Sequence, residues 1–196
     1  MGDRYHHGNL RDELVRVSLD LIAERGVAGF SVAEVARRAG VSPAAPYRHF
    51  PERESLLAAV AATVAGQLAD RAREAIAAED DPVGALAAAA GAYTAYLIDR
   101  RAGMNLIYAD GLQGRKHAEL HEHTRSLTDQ FLVLCLAVCD RPQDGLELME
   151  QLFTQAHGYG MFWLDGVFVK QGYSPGQVVT KSVAAARILI EGHRRR

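Results

Sequence analysis

One stretch of the chain, residues 30–57, limits the possible folds more than any other, because it signals two short helices with a tight turn between them. Ser31 and Glu34 have the spacing of a capping box, in which the hydroxyl and the carboxylate each accept a backbone N–H at the start of a helix. Gly40 predicts the end of that helix, since glycine tolerates the positive φ that a helix C-terminus often requires. The stretch therefore begins with a short helix that has a marked start and end.

A second helix is predicted over residues 43–50, with Ser42 as its N-cap and Pro43 at its first position. Two helices so close in sequence can cross at a steep angle only where a small side chain lies at the crossing, and Ala36 supplies one. This is the pattern of a helix-turn-helix, whose second helix lies in the major groove of DNA. The alternative is an ordinary αα-corner inside a helical bundle.

The residues of this stretch resemble the DNA-binding domain of the Tet repressor (TetR/AcrR) family of bacterial transcription regulators, and the likeness covers about residues 8–60. The motifs that carry it are Gly40-Val41-Ser42-Pro43, Tyr47-Arg48-His49-Phe50-Pro51, Arg53-Glu54 and Leu56-Leu57. The resemblance implies an N-terminal three-helix DNA-binding domain, residues 1–54, and a C-terminal helical domain for ligand binding and dimerisation, residues 55–196. It also implies a double-stranded DNA operator and an unidentified small-molecule effector as partners.

Within the motif, the resemblance implies that Tyr47 donates its hydroxyl to a DNA phosphate and that His49 reaches a phosphate or a base edge. Arg53 stands where the family commonly has a lysine that contacts phosphate. The alanine methyls of the segment suit thymine, and serines at helix starts suit phosphates. The predicted DNA-binding residues are Ser31, Ser42, Pro43, Ala44, Ala45, Tyr47, Arg48, His49 and Arg53.

Pro46 departs from the family pattern. A proline four residues into a helix removes one hydrogen bond and biases the preceding residue away from helical angles. We therefore expect a distorted first turn, which changes how Ala44 and Ala45 meet the bases.

Hydrophobic periodicity predicts an all-α protein, and no alternating strand pattern occurs in the sequence. The amphipathic patterns predict helices at about residues 9–25, 52–79, 83–99, 117–139, 143–171 and 175–193, with a short segment at 102–109. Flexible-linker composition is absent between the two predicted domains.

The predicted C-terminal domain is rich in aromatic residues and methionine, which are typical of core packing. The family resemblance implies in addition a small-molecule pocket between its helices. The candidate pocket residues are Tyr93, Met104, Tyr108, Phe131, Phe153 and His157.

Glycines in the predicted 143–171 helix indicate close approach to another helix or room for a ligand. Paired with the apolar positions of the last helix, this surface predicts a four-helix homodimer interface. The candidate interface residues are Gly158, Phe162, Gly166, Val179, Val183, Ala186 and Ile190.

The formal net charge of −2 and a pI near 6.4 are not those of a generally basic nucleic-acid binder, so any DNA must meet a local basic face. Cys135 and Cys139 share a helix face and are expected to be free thiols in a reducing compartment. The N-terminus is not a signal peptide, and the uncharged stretch at 83–98 is too short to span a membrane, so we expect a cytoplasmic protein without a membrane partner.

His117, His121 and His123 have partial metal-ligand spacing, but the charged residues around them are typical of a solvated helix start, so we predict no metal site. The sequence holds no nucleophile triad order, no paired-carboxylate spacing and no glycine-rich phosphate loop after a strand, so neither an enzyme nor a cofactor is predicted. The sequence favours a homodimeric repressor of a palindromic operator, released by an inducer. The alternatives are a constitutive or architectural DNA-binding protein and a helical enzyme.

Overall fold

The computed structural model describes residues 10–100, 103–109, 111–112 and 116–194. Every regular element in these ranges is helical, which confirms the all-α prediction. The elements are α1 (Leu10–Arg25), α2 (Val32–Arg38), the 3₁₀ turn η1 (Pro46–Arg48), α3 (Arg53–Ala77), α4 (Pro82–Arg100), α5 (Met104–Ile107), α6 (Ala118–Val138), α7 (Pro142–Leu164), α8 (Val167–Lys170) and α9 (Pro175–Arg194). None of the helices described is both long enough and apolar enough to traverse a bilayer.

The chain forms two compact units. Unit 1 comprises the described residues up to Ala65 and those within Ala102–Glu122, and unit 2 comprises the rest. The division falls inside the continuous helix α3, whose first half belongs to unit 1 and whose second half belongs to unit 2. The predicted division of function at residue 54 stays a prediction, since compactness alone does not assign a role to either unit.

Unit 1 has a core built from the buried stripes of three helices. Leu14 and Leu21 of α1 recur at helical spacing and are fully buried, as are Val35 of α2 and Leu56 of α3. These residues form the apolar core of unit 1.

Unit 2 is built on mutual packing of α4, α7 and α9. A polar network lies inside this packing: the hydroxyls of Thr94 and Ser182 are 2.7 Å apart, and the Thr94 hydroxyl also donates to the Ala156 carbonyl at 3.1 Å. The Gln155 side-chain amide donates to the Ser182 hydroxyl at 2.9 Å. Because buried hydroxyls need partners, this network fixes how the three helices meet.

The predicted helix over residues 143–171 is wrong in its last part. The chain leaves α7 at Leu164 and passes through Gly166, which has a φ of +74°, before the short helix α8 begins. A left-handed residue cannot continue a right-handed helix, so the glycine separates α7 from α8.

The approach of α7 to α4 at Gly160 yields a stability prediction. A Cβ on Gly160 of α7 would lie 2.7 Å from the Cβ of Leu97 on α4, closer than carbon atoms can approach. Gly160→Ala should therefore lower the free energy of unfolding by about 1–3 kcal/mol, measured by urea denaturation.

Gly192→Ala is the control, because no heavy atom lies within 4 Å of the position of its added Cβ. This control should leave stability unchanged or raise it by up to about 1 kcal/mol. Equal losses in the two variants would contradict a steric origin.

Candidate nucleic-acid interface

The turn after α2 is closed by two backbone hydrogen bonds. The Val41 N–H donates to the Ala36 carbonyl at 3.0 Å, and the Gly40 N–H donates to the Arg37 carbonyl at 3.3 Å. Gly40 has a φ of +69°, as its predicted role requires. This is the Schellman pattern, in which a left-handed glycine reverses the chain and satisfies the last carbonyls of a helix. Ala36 is buried, as expected of a small residue at a crossing.

The predicted capping box at the start of α2 is wrong. Ser31 is the N-cap residue, with its backbone extended, but its side chain makes no capping hydrogen bond. The Glu34 carboxylate instead accepts hydrogen bonds from the guanidinium groups of Arg37, at 2.8 Å, and Arg38, at 3.0 Å. Two guanidinium groups within one helical turn offer the carboxylate stronger, charge-assisted partners than a backbone N–H.

The 43–50 segment is not an α-helix, so its prediction was wrong in type. The N–H groups of Ala45, Arg48 and His49 each donate to the carbonyl three residues earlier, at 2.9–3.2 Å, and the central residues form the 3₁₀ turn η1. Ser42 therefore starts this turn through its carbonyl and is not the N-cap of an α-helix. Pro46 has no N–H to donate, and the expected distortion of the helix is present as a 3₁₀ turn. The expected bias of Ala45 away from helical angles was wrong, since Ala45 has a φ of −63° and a ψ of −42°.

The outer side of the 42–49 segment lies in solvent. Tyr47 is 52% exposed, and Arg48 and His49 are also exposed, whereas Pro46 and Phe50 are buried beneath them. The other predicted DNA-binding residues of the turn also lie at the surface, since Ser42, Pro43 and Ala44 are exposed and Ala45 is partly exposed. Ser31, at the start of α2, is exposed as well. The structure thus brings the predicted DNA-contacting residues between positions 42 and 49 onto one exposed turn.

Ion pairs occupy most of the arginines around this turn. Arg16 pairs with Glu13 and Asp20 on α1. The carboxylates of Glu24 and Glu34 engage the last arginine of α1 and both arginines of α2. The pairs are Arg25 with Glu34, Arg37 with Glu34, and Arg38 with both Glu24 and Glu34. These pairs leave little net charge on the scaffold beneath the turn.

Among the described residues from 10 to 60, Arg48 and Arg53 are the arginines without an ion pair. Arg48 is exposed on the turn. Arg53 is partly buried: its guanidinium donates to the Val27 carbonyl at 3.2 Å and lies 5.5 Å from the centre of the Phe30 ring. Arg48 is therefore the freer of these two cations, and Arg53 has a structural role as well.

Four of the six candidate pocket residues form one cluster in unit 2. The ring centres of Tyr93 and Phe153 are 5.7 Å apart, and those of Phe131 and Phe153 are 4.5 Å apart. The Tyr93 hydroxyl lies 3.2 Å from Nδ1 of His157, whose pKa is lowered by burial. Met104 and Tyr108 belong to unit 1.

The candidate dimer residues divide into two groups. Ala186 and Ile190 are fully buried within the chain, so they are corrected to core residues. Val183 and Val179 are partly buried and pack toward Gly91 of α4. The reason is that the main apolar stripe of α9 faces α4 and α7 of its own chain.

The other candidate dimer residues have free space around them in the described part of the chain. Phe162 is 54% exposed, and the positions of a Cβ on Gly158 and Gly166 have no heavy atom within 4 Å.

Sequence reasoning missed an apolar groove between α7 and α9. The groove has a volume of about 610 Å³, and its most exposed apolar residue is Ile188, at 74% exposure. The lining residues are Glu150, Gln151, Thr154, Gln155, Ala185, Ile188 and Leu189. The missed signal is the run Ile188-Leu189-Ile190, since consecutive residues on a helix cannot all face one side.

The residues considered for metal or thiol chemistry do not form a site. No group of three or more His, Cys, Asp or Glu side chains within the described ranges is placed to hold a metal ion. Cys135 and Cys139 are free, and burial raises the pKa of the Cys135 thiol to about 12. A thiol so protonated at neutral pH is a poor nucleophile and metal ligand.

Comparison with known proteins places this geometry in a family. The family model for bacterial regulatory proteins of the tetR family matches residues 14–60. The HTH-type transcriptional regulator BetI of Rhizobium meliloti (strain 1021) is 27% identical over 190 residues, which cover 94% of this chain and 89% of the relative. Residues 14–60 thus match the DNA-binding domain of TetR-family regulators, and the whole chain is similar to a regulator of this kind. It is thus a DNA-binding transcriptional regulator and not an enzyme.

Solved structures share the fold of the regulator over nearly its whole length. A protein of unknown function from Rhodococcus sp. RHA1 has a TM-score of 0.80 at 28% identity, with 98% of this chain and 99% of that one covered. A TetR variant from Acinetobacter baumannii AYE, in complex with minocycline, has a TM-score of 0.66 at 18% identity and covers 98% of each chain. The N- and C-terminal helices therefore belong to one known architecture.

The ion pairs of Glu34 lead to a prediction about acid stability. Hydrogen bonds from Arg37 and then Arg38 lower the pKa of Glu34 from 4.5 to about 2. A carboxyl whose pKa is lower in the folded state stabilises the fold above the unfolded pKa, and this contribution is lost as the pH falls through the folded pKa. Glu34→Gln should therefore lower the thermal midpoint above pH 5, and the difference from the wild type should vanish as the pH approaches 2.

Glu54→Gln is the control for this titration, because Glu54 is an exposed carboxylate without an ion pair among the described residues. Its thermal midpoint should follow that of the wild type across the same pH range. A Glu34→Gln midpoint that parallels the wild type at every pH would contradict the lowered pKa.

Proposed function

We propose that the regulator binds a palindromic operator as a homodimer through the 42–49 turn, and that it is a repressor released by a small-molecule inducer. The observation that carries the proposal is the exposure of Tyr47, Arg48 and His49 on a turn whose surrounding arginines are mostly ion-paired. Such a turn concentrates positive charge at one protruding point of a chain with a net charge of −2.

Arg48 is the central phosphate contact in this proposal. Its guanidinium is exposed and makes no ion pair with a described carboxylate, so no internal ion pair has to break when it binds a DNA phosphate. Tyr47 adds an exposed hydroxyl donor on the same turn. Arg53 contributes its remaining N–H groups, since one of them is already bonded to Val27.

The 3₁₀ turn limits direct base reading to few residues. A three-residue turn rises about 2 Å per residue and offers no long face to the groove, unlike a recognition helix of several turns. Ala44 and Ala45 come directly before η1, and their methyl groups are the proposed apolar contacts to thymine. Much of the affinity is therefore assigned to phosphate contacts, which makes it strongly salt-dependent.

The phosphate role of Arg48 is tested by Arg48→Gln in an operator titration at several salt concentrations, with the operator taken from genomic fragments that the regulator retains. We expect weaker binding and a log–log salt slope reduced by about one counterion per protomer. Tyr47→Phe should weaken binding by about 1 kcal/mol, since it removes one hydroxyl.

Arg16→Gln is the matched control, because Arg16 is an exposed arginine that already pairs with Glu13 and Asp20. It should leave both affinity and salt slope unchanged. Equal slopes for Arg48→Gln and the wild type would refute the assigned contact.

The proposed dimer interface is the open face of α7 and α9. Ile188, Phe162 and the groove between the two helices offer apolar surface, and Gly158 and Gly166 allow a close approach. A two-fold axis through this face would pair α7 and α9 with their copies in a four-helix bundle. Two turns set about 34–36 Å apart would then meet successive major grooves of a palindrome.

The interface is tested by Ile188→Glu, which should convert the dimer into a monomer, because the charge would be buried without a partner. Light scattering after size exclusion measures the mass. Val133→Glu is the control, since Val133 of α6 is 66% exposed and lies outside the groove. A dimer that survives Ile188→Glu would exclude this face.

The aromatic cluster around Tyr93, Phe153 and His157 is the proposed effector site. It offers apolar rings together with a hydroxyl and an imidazole, which are the features of a small-molecule site. A TetR variant of the same fold is in complex with minocycline, which supports an effector of this general kind. An inducer here would act on the DNA turn through α3, with a coupling of about 1–3 kcal/mol.

The burial of Tyr93 and Phe131 favours the alternative that the regulator binds DNA without an effector. Release of the regulator from its operator by a small molecule would exclude that alternative.

A further inference from the structure

A second pocket lies within unit 1, beneath the end of the 42–49 turn. It has a volume of about 220 Å³ and is bounded by α1, the start of α3, and the start of α6. Its polar lining residues are Arg11, His49, Ser55, Lys116, His117 and Glu119.

The charge of this lining is positive. The Glu119 carboxylate accepts a hydrogen bond from the Arg11 guanidinium at 2.8 Å, so these two side chains neutralise each other. The Arg11 guanidinium also lies 5.5 Å from the centre of the Phe50 ring, which anchors it in the wall. Lys116 makes no ion pair with any residue that the structure describes, so its charge remains uncompensated at the rim.

The remaining polar groups are hydrogen-bond donors suited to an oxyanion. Arg11 has five N–H donors, of which one is engaged by Glu119, and two imidazoles and the Ser55 hydroxyl add further donors. Arginine and lysine around one small cavity are typical of phosphate recognition. The volume is below the roughly 300 Å³ at which drug-sized sites begin, so it suits one phosphate group with little attached to it.

We propose that this pocket binds the phosphate group of a small molecule and thereby controls His49. His49 belongs both to the pocket lining and to the exposed turn. A phosphate that draws the His49 imidazole into the pocket removes it from the DNA face, so the bound molecule weakens operator binding. Phosphate binding itself is independent of the proposed function, whereas the effect on DNA rests on it.

The phosphate has two conceivable sources, a free small molecule or the DNA backbone. The free molecule is favoured because only His49 and Phe50 of the lining come from residues 42–50. The other walls are formed by helices that carry none of the exposed DNA-contact residues, apart from the first turn of α3.

Calorimetric titration of the full-length regulator with inorganic phosphate, without DNA and at constant ionic strength, tests the binding. We expect saturable binding that Lys116→Met weakens about tenfold, because one charged hydrogen bond is lost. His117→Gln should weaken it as well. Lys170→Met is the matched control, since Lys170 is an exposed lysine on α8, and it should bind phosphate as the wild type does.

Circular dichroism establishes that each variant is folded. No saturable binding, or equal affinity in wild type, Lys116→Met and Lys170→Met, would overturn the proposal.

A second titration, of operator DNA with and without phosphate, separates the two sources. We expect phosphate to weaken operator binding by the wild type and to have less effect on Lys116→Met. If phosphate does not bind without DNA but Lys116→Met lowers operator affinity, the pocket belongs to the DNA interface and the proposal is wrong. Failure of every variant to bind DNA would refute the proposed function while the calorimetry still decides on the pocket.

Discussion

The reversal of the chain at Gly40 is the constraint on which the arrangement of unit 1 depends. Its two backbone hydrogen bonds end α2 and send the chain into the 42–49 turn at a fixed angle. Any residue with a Cβ would pay about 1–2 kcal/mol to hold the same left-handed conformation. Ala36, buried at the crossing, lets the turn stay close to α2 while its outer side chains remain in solvent. Backbone geometry and one small side chain thus create the protruding surface.

Charge pairing resolves how a chain with a net charge of −2 can present a DNA-binding face. Glu24 and Glu34 bind Arg25 at the end of α1 and the two arginines of α2, so those cations serve the scaffold. DNA is attracted by positive charge that no carboxylate of the protein neutralises, and Arg48 carries such a charge on the turn. The positions of the unpaired charges therefore decide the electrostatics of DNA binding, and the net charge does not reveal these positions.

The sequence predicted what depends on periodicity and on residues with unusual backbones. The bounds of α1, α4 and α9 lie within one residue of those predicted, and Gly40 has the positive φ that its chemistry allows. Pro46 lies in a 3₁₀ turn, as the expected distortion requires, but Ala45 before it keeps helical angles. The errors arose where side chains compete for partners: the Glu34 carboxylate prefers guanidinium groups to the cap.

Ala186 and Ile190 were predicted at the dimer interface but are buried within the chain. The sequence shows that a helix has an apolar stripe, but it does not show whether the same chain or a partner covers that stripe. The pocket in unit 1 combines residues from distant parts of the sequence, so no local pattern could predict it, whereas the groove between α7 and α9 has a local signal in the run Ile188-Leu189-Ile190. In the 42–49 turn itself, three residues per turn send consecutive side chains about 120° apart. Tyr47, Arg48 and His49 therefore point in different directions, and all three cannot contact one groove wall. His49, which also lines the inner pocket, is the side chain whose position a bound molecule can change while Pro46 and Phe50 hold the turn in place.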